Sequence, residues 1–358
     1  MFRHLRPIRV VCGIAVLVWG LSDWIARILP AQETVSARET MNEASKVFAP
    51  LPKSDSNRLE GVAAEQVALG QKLFFDPRIS SDGVRSCMIC HQPALYGTDG
   101  LPVSRGAENK PFVRNAPTVL NSALQFRIHW DGRFPSVEEQ AGAALLGPGF
   151  HNPSDEVVIS RLDAIPGYID LFRNAFPDDK SPVTRANWGR AIGAYERTLV
   201  TPARFDDFLK GDENALNAPQ LRGLRLFQKS GCADCHSGAL LGGTSYEKFG
   251  ITSDYWSETK SPAIDKGRFT LTNKEEDLYV FKVPPLRNVA MTPPYFHDGS
   301  VRSLPEAVQI MARVQSGTTL KSEEVQDIVS FLDSLTGTLP SNFVTAPQLP
   351  PAAFLTLP

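Results

Sequence analysis

Apolar residues along the chain recur mainly at helical spacing. Trp188, Ala191, Ile192, Tyr195 and Leu199 share one helix face, and Val325, Ile328, Leu332 and Leu335 share another. Ser322 opens the second pattern, and Glu323 and Glu324 sit in its first turn, where carboxylates suit the positive end of a helix dipole. Each half also carries an earlier helical pattern, Gly70-x-x-Leu73-Phe74 and Gly223-x-x-Leu226-Phe227, the latter opened by Asn217 as cap with Pro219 in its first turn. This is a weak internal repeat of an early and a late helix, with the glycine permitting close approach between them. Strand-like alternation is scarce. The pattern predicts a mainly α protein of two modules packed against each other, loop-rich and with few strands.

The modules are expected at 61–210 and 211–339, divided where Gly211, Asp212 and Asn217 break the pattern. Residues 38–60 read as a linker, and the stretch between His236 and Lys282, rich in Gly, Ser, Thr and charge, as loops. The tail 340–358 is rich in proline and reads as an extended wrap over the surface. Arg3, Arg6 and Arg9 followed by the 12-residue apolar run Val10–Leu21 make 1–37 an export signal, either cleaved or kept as an N-terminal anchor. That run is short for a membrane span, and no other segment suggests one. Export points to the periplasm.

Composition is that of a globular chain: 42% hydrophobic, 21% charged, net charge −2. Enough apolar material is present for a sizeable core, which excludes a disordered or collagen-like chain. Without a basic stripe, nucleic-acid binding is not expected. Of the five cysteines, Cys12 lies in the signal. The other four form Cys87-Met-Ile-Cys90-His91 and Cys232-Ala-Asp-Cys235-His236. CxxCH lets two thiols bond the vinyl groups of one haem while the histidine reaches its iron. Disulfides, a zinc site or a thioredoxin-like pair would use the same cysteines. Two copies that consume every cysteine outside the signal favour two covalent c-type haems. An early and a late helix crossing behind each haem is then a cytochrome c-like arrangement.

The chain resembles the bacterial di-haem cytochrome c peroxidases and their MauG-type relatives from about Leu69 to Gly337. Besides the haem motifs, the resemblance rests on Leu73-Phe-Phe-Asp-Pro-Arg78, Arg114-Asn-Ala-Pro-Thr-Val-Leu-Asn121, Trp130-Asp-Gly-Arg133 and Glu139-Gln140-Ala141. Phe281-Lys-Val-Pro-Pro-Leu-Arg-Asn288 and Pro294-Tyr-Phe-His-Asp-Gly299 complete it. It implies that a C-terminal haem takes electrons from a small cytochrome c or cupredoxin, that they pass a bridging tryptophan, and that an N-terminal haem reduces hydrogen peroxide. Trp130 is the bridge by this resemblance, with core packing as its plainer role. Met311, 14 residues beyond His297, is the expected sixth ligand opposite His236; Met291 is the runner-up, and ordinary helix packing the alternative. The resemblance also implies one Ca²⁺, held by the Asn115 side chain and the Thr292 and Pro294 carbonyls, and a homodimer is compatible with it.

Two departures stand out. The histidine that caps the resting first iron in many relatives has no counterpart, since Gln92–Ile128 contains none; the first haem is expected open, with His129 the one nearby imidazole that could reach it. The acid–base Glu that relatives place 20 residues beyond the tryptophan falls on Phe150. His151 is the candidate substitute, with Gln140 carried over as a further catalytic candidate. Asp155 and Glu156 could serve if the loop shifts, and a plain surface role for His151 is the bland reading. Three functions follow: a peroxide reductase, a MauG-type oxidase of Trp or Tyr on a partner protein, and a di-haem electron carrier. In MauG itself a Tyr replaces the Met ligand, so Met311 speaks against close equivalence, and an uncapped first iron speaks against a carrier.

Overall fold

The computed structural model describes residues 36–52 and 61–351; nearly all of the expected export signal lies outside them. The helices are α1 Ala37–Ala44, α2 Ala64–Phe75, α3 Val137–Ala144, α4 Asp155–Asp163, α5 Tyr168–Ala175 and α6 Arg185–Glu196 in the first half. They continue as α7 Arg204–Leu209, α8 Ala218–Lys229, α9 Cys232–Cys235, α10 Tyr255–Thr259, α11 Phe269–Thr272, α12 Leu304–Ser316, α13 Ser322–Asp333 and α14 Ser341–Val344. Two short strands, β1 Tyr246–Lys248 and β2 Val280–Lys282, pair antiparallel with Tyr246 opposite Lys282 and Glu247 opposite Phe281. They interrupt a stretch expected to be all loop.

The repeat seen in the sequence is structural. α2 crosses α6 and α8 crosses α13 at glycines: a Cβ on Gly70 would run into the Ala191 carbonyl, and one on Gly223 into that of Asp327. Only glycine lets the backbones meet there. Asn217 and Gln220 form a reciprocal capping box on α8, each side chain accepting the other's backbone N–H at 3.0 Å. The cap of α13 differs from the expectation. Ser322 is its first helical residue, Lys321 is the cap, and the Lys321 N–H donates to the Glu324 carboxylate at 2.8 Å. Leu199 and Leu335 lie just past the ends of α6 and α13, yet turns fold both back into full burial.

Two further segments differ from their sequence reading. The expected linker holds α1, and Ala44, Phe48 and Leu51 beyond its start are buried; Phe48 packs edge-on against Phe205 at 5.6 Å and near Phe227 at 6.4 Å. The tail departs from its reading at Ser341–Val344, where α14 forms, while 345–351 runs on without helix or strand and its Gln348 and Pro350 carbonyls accept from Lys72 and Arg78. Phe343 on α14 is fully buried, 6.3 Å from Phe74. The Asn342 carbonyl accepts from Gln71 at 2.6 Å and from the Tyr195 hydroxyl at 3.0 Å. Burial of one large ring outweighs the proline-rich composition around it. From Ala37 onward the chain packs as one unit.

Between the halves lies a buried polar seam. Arg287 and Asp206, 1% and 0% exposed, pair at 2.8 Å, and Asp206 also accepts the Leu51 and Ala203 N–H groups. Asn121 and Asn288, both in the left-handed region, each donate to Thr201 Oγ1, at 2.8 and 2.9 Å. The charges and amides are matched, as buried polar groups must be.

Candidate functional site

Each CxxCH forms one helical turn. In the first, the Cys90 and His91 N–H groups both reach the Cys87 carbonyl, at 3.2 and 3.0 Å; in the second, the His236 N–H reaches Cys232 at 2.9 Å. A single turn thus gathers two thiols and an imidazole on one side. His91 Nδ1 lies 2.9 Å from the Gly97 carbonyl, and His236 Nδ1 lies 3.0 Å from that of Leu241. Burial lowers both imidazoles below their ordinary range. A neutral ring that donates from Nδ1 leaves the Nε2 lone pair for a metal, which is how ligating histidines are held.

The thiols fit the same purpose. All four are free, and burial pushes Cys90 and Cys232 up to about 11. That is the opposite of a reactive thiolate in a thioredoxin-like pair. Among the described residues no group of three or more His, Cys, Asp or Glu is placed to hold a metal, so the zinc alternative lacks its ligands. The residues present fit a covalent haem.

A cavity of about 260 Å³ opens beside the second motif and is walled by Cys232, Cys235, His236 and Met311. Met311 reaches it from α12, half-buried against the cluster of Tyr295, Val301, Ala307, Ile310 and Val314. Met291, 41% exposed, is outside it. Trp130, Asn115, Thr292 and Pro294 line the same cavity. The Trp130 indole N–H donates to the Asn115 carbonyl at 3.0 Å, and its own carbonyl accepts from Lys282 at 2.8 Å. Beneath it, fully buried Asp131 accepts from Arg114 and Arg133. Burial opposes the charge on Asp131, but the two guanidiniums win and hold its carboxyl below the usual range. Arg114 then forks onto Asp265 at 2.6 and 2.9 Å.

His129, next to Trp130, also lines the cavity, at a left-handed φ of 72° with its ring edge-on to Phe134 at 5.0 Å. Burial pushes it down to about 4, and His91 is close enough to add to that shift. His151 is outside this group: it is exposed, at φ 54°, with its N–H on the Gly147 carbonyl. Phe150 beside it is buried against Trp188 at 6.0 Å. Gln140 is half-buried on α3.

Three functional-looking groups escaped the sequence reading. Glu196 is 5% exposed and accepts from Ser122 at 2.8 Å. His297 is buried with no hydrogen bond at Nε2, the Asp265 carboxylate lying 3.9 Å away. Lys282 is a buried cation. Of these only His297 left a signal, since Trp130-Asp-Gly is repeated as His297-Asp-Gly.

Residues 64–214 match the family model described as di-haem cytochrome c peroxidase, and 220–336 match that of cytochrome c. The cytochrome c551 peroxidase of Pseudomonas aeruginosa is 43% identical over 311 residues, covering 86% of this chain and 89% of that protein. The chain belongs to the di-haem cytochrome c peroxidase family. The methylamine utilization protein MauG of Methylorubrum extorquens is 34% identical over 365 residues, 97% of this chain and all of that one. Among solved structures, a MauG-like protein associated with microbial copper homeostasis superposes with a TM-score of 0.71 at 28% identity, covering 84% of this chain and 96% of that one. Membership makes the protein a haem c oxidoreductase of the cytochrome c peroxidase type, and the mostly helical fold of two cytochrome c-like domains agrees with it. Among the described residues no helix is long and apolar enough to cross a membrane.

Proposed function

We propose that the protein works in the periplasm, taking two electrons from a small cytochrome c or cupredoxin at its C-terminal module and delivering them to hydrogen peroxide at its N-terminal one. The observation that carries this reading is the placement of adjacent residues: Trp130 on the cavity wall shared with His236 and Met311, and His129 within electrostatic reach of His91. When bound, the haems supply the redox chemistry, by which one peroxide, two electrons and two protons become two waters. Cys87, Cys90 and His91 would hold one group, and Cys232, Cys235, His236 and Met311 the other. The ion pairs of Arg114 with Asp131 and Asp265 would hold the Trp130 segment in place between the two groups.

Asn115 is read as a Ca²⁺ ligand with the carbonyls of Thr292 and Pro294. Its Nδ2 is committed to the Leu101 carbonyl at 2.8 Å, which leaves Oδ1 free to face a cation. Chelation should then lower the thermal midpoint and slow turnover, with recovery on adding Ca²⁺; indifference to chelator removes this ion from the proposal.

Steady-state peroxide consumption with a reduced cytochrome c tests the main reading. Rapid turnover is expected. Negligible turnover with every small donor, alongside oxidation of Trp or Tyr on a protein partner, would replace it by the MauG-type activity.

A further inference from the structure

Lys282 ends β2 with only 4% of its surface exposed. Its ammonium reaches Gln125 Oε1 at 2.5 Å, a neutral acceptor, and two of its three N–H donors remain to be satisfied. Buried ammonium groups need a counter-charge or lose their proton. Burial alone accounts for the fall of Lys282 to about 8, with no carboxylate acting on it. The charge of Arg287, on the same cavity wall, is already matched by Asp206, and its Nε donates to the Ala239 carbonyl. Glu247 lines the cavity too, but it stands opposite Phe281 in the β-pair. It therefore shares the face of Phe281, whereas Lys282 shares that of Tyr246.

The cavity that Lys282 lines is the one walled by His236 and Met311. Two residues on, Pro284 brings its carbonyl to the His236 ring. A haem held there carries two carboxylates of its own, and the polypeptide supplies one unmatched cation. We propose that Lys282 binds a propionate of the C-terminal haem, with Gln125 orienting the ammonium from the other half of the chain. The inference rests on the reading of Cys232-Ala-Asp-Cys235-His236 as a haem site. Because the Lys282 N–H also holds the Trp130 carbonyl, one residue would tie the propionate edge of the haem to the bridging indole.

A cation at the propionates favours the reduced iron, so its removal should lower the midpoint potential of that haem. The test measures haem count by mass spectrometry and the two potentials by spectroelectrochemical titration, in Lys282→Met and Lys282→Arg. With both haems attached, Lys282→Met should cut the reduced-to-oxidised ratio of the C-terminal haem about tenfold at fixed potential, or about 59 mV for one electron. Lys282→Arg should restore it, and the N-terminal haem should not move. Loss of the second haem from Lys282→Met but not from Lys282→Arg would support the same role, and Lys282→Gln gives the same reading if the Met variant misfolds. Two attached haems with an unchanged C-terminal potential overturn the proposal, as does a shift confined to the N-terminal haem. Wild-type protein with no haem on Cys232 and Cys235 instead sinks the attachment reading on which the proposal rests.

Discussion

The rings of Trp130 and His297 meet edge to face, 6.4 Å apart between centroids and inclined by 71°, and the two residues hold equivalent places in the two modules. Ile128 bonds back to Phe134 at 2.9 Å, as Tyr295 bonds back to Val301 at 2.6 Å. His129 and Phe296, one step before each ring, share a left-handed φ of 72° and 70°. Asp131 and Asp298 each accept the N–H two residues on. The junction is therefore built from one motif used twice, with an indole in one copy and an imidazole in the other. Carrying the repeat forward gives a consequence for the irons: Met311 stands 14 residues after His297, and the residue 14 after Trp130 is Ala144. One module offers a thioether where the other offers a methyl.

Met311→His therefore tests the asymmetry from the side that has a donor. Imidazole favours Fe(III) relative to thioether, so the C-terminal haem should fall in potential by far more than the scatter between preparations while both haems stay attached. Met291→Leu should leave the potential and the absorption spectrum alone, since Met291 is exposed. The reverse result would move the ligand to Met291.

The parts legible in the sequence were those written locally. A CxxCH turn, the 3.6-residue recurrence of α6 and α13 and the Asn217 cap each need only a dozen residues of context. The glycine crossings were legible because the same spacing occurs twice. Partners set by long-range packing were not: Lys282 and Gln125 are 157 residues apart, and Arg287 and Asp206 are 81 apart. Composition misled at one turn of the tail, where prolines conceal a single anchoring ring at Phe343. Counting placed His151 beside the missing Glu but could not show that the backbone there turns Phe150 inward and His151 out.

Glu196 gives a pH prediction. Burial pushes its carboxyl up to about 7 from an ordinary 4.5, against the Ser122 hydrogen bond. A group whose folded pKa is raised binds its proton more tightly when folded, so its stabilisation is complete below about pH 4.5 and is lost as pH rises toward 7, by on the order of 3 kcal/mol. Asp76 and Asp131 shift the other way, and their contributions are lost only on acidification below the ordinary carboxylate range. Neutral His129, held near 4, contributes in the opposite sense between about pH 4 and 6.5, so Glu196 is read as the difference between wild type and Glu196→Gln, which keeps a partner for Ser122. In denaturant unfolding of the loaded protein, Glu196→Gln should gain on wild type between about pH 5 and about pH 8; parallel curves would place the titrating group elsewhere.

Ala144 and the missing histidine in Gln92–Ile128 lead to one expectation for the resting protein. Nothing in the repeat supplies a sixth ligand to the iron on His91, so the fully oxidised protein should show one high-spin and one low-spin haem. It should also bind cyanide or react with peroxide without prior reduction. A capped iron would instead give two low-spin haems and stay inert until one electron arrived. His129 is the residue able to spoil this: held near 4, its imidazole is neutral at pH 7 and chemically able to ligate. His129→Ala should leave the spin state unchanged if the site is open and convert low-spin to high-spin if His129 is a cap. His151→Ala addresses the acid–base role separately, since loss of peroxide cleavage with cyanide binding intact would bring the exposed loop into the reaction. Unimpaired cleavage would leave His151 on the surface where the fold puts it. A wild-type oxidised spectrum with both haems low-spin rules out the open site whatever the variants do, because an iron with six strong ligands has no position for peroxide.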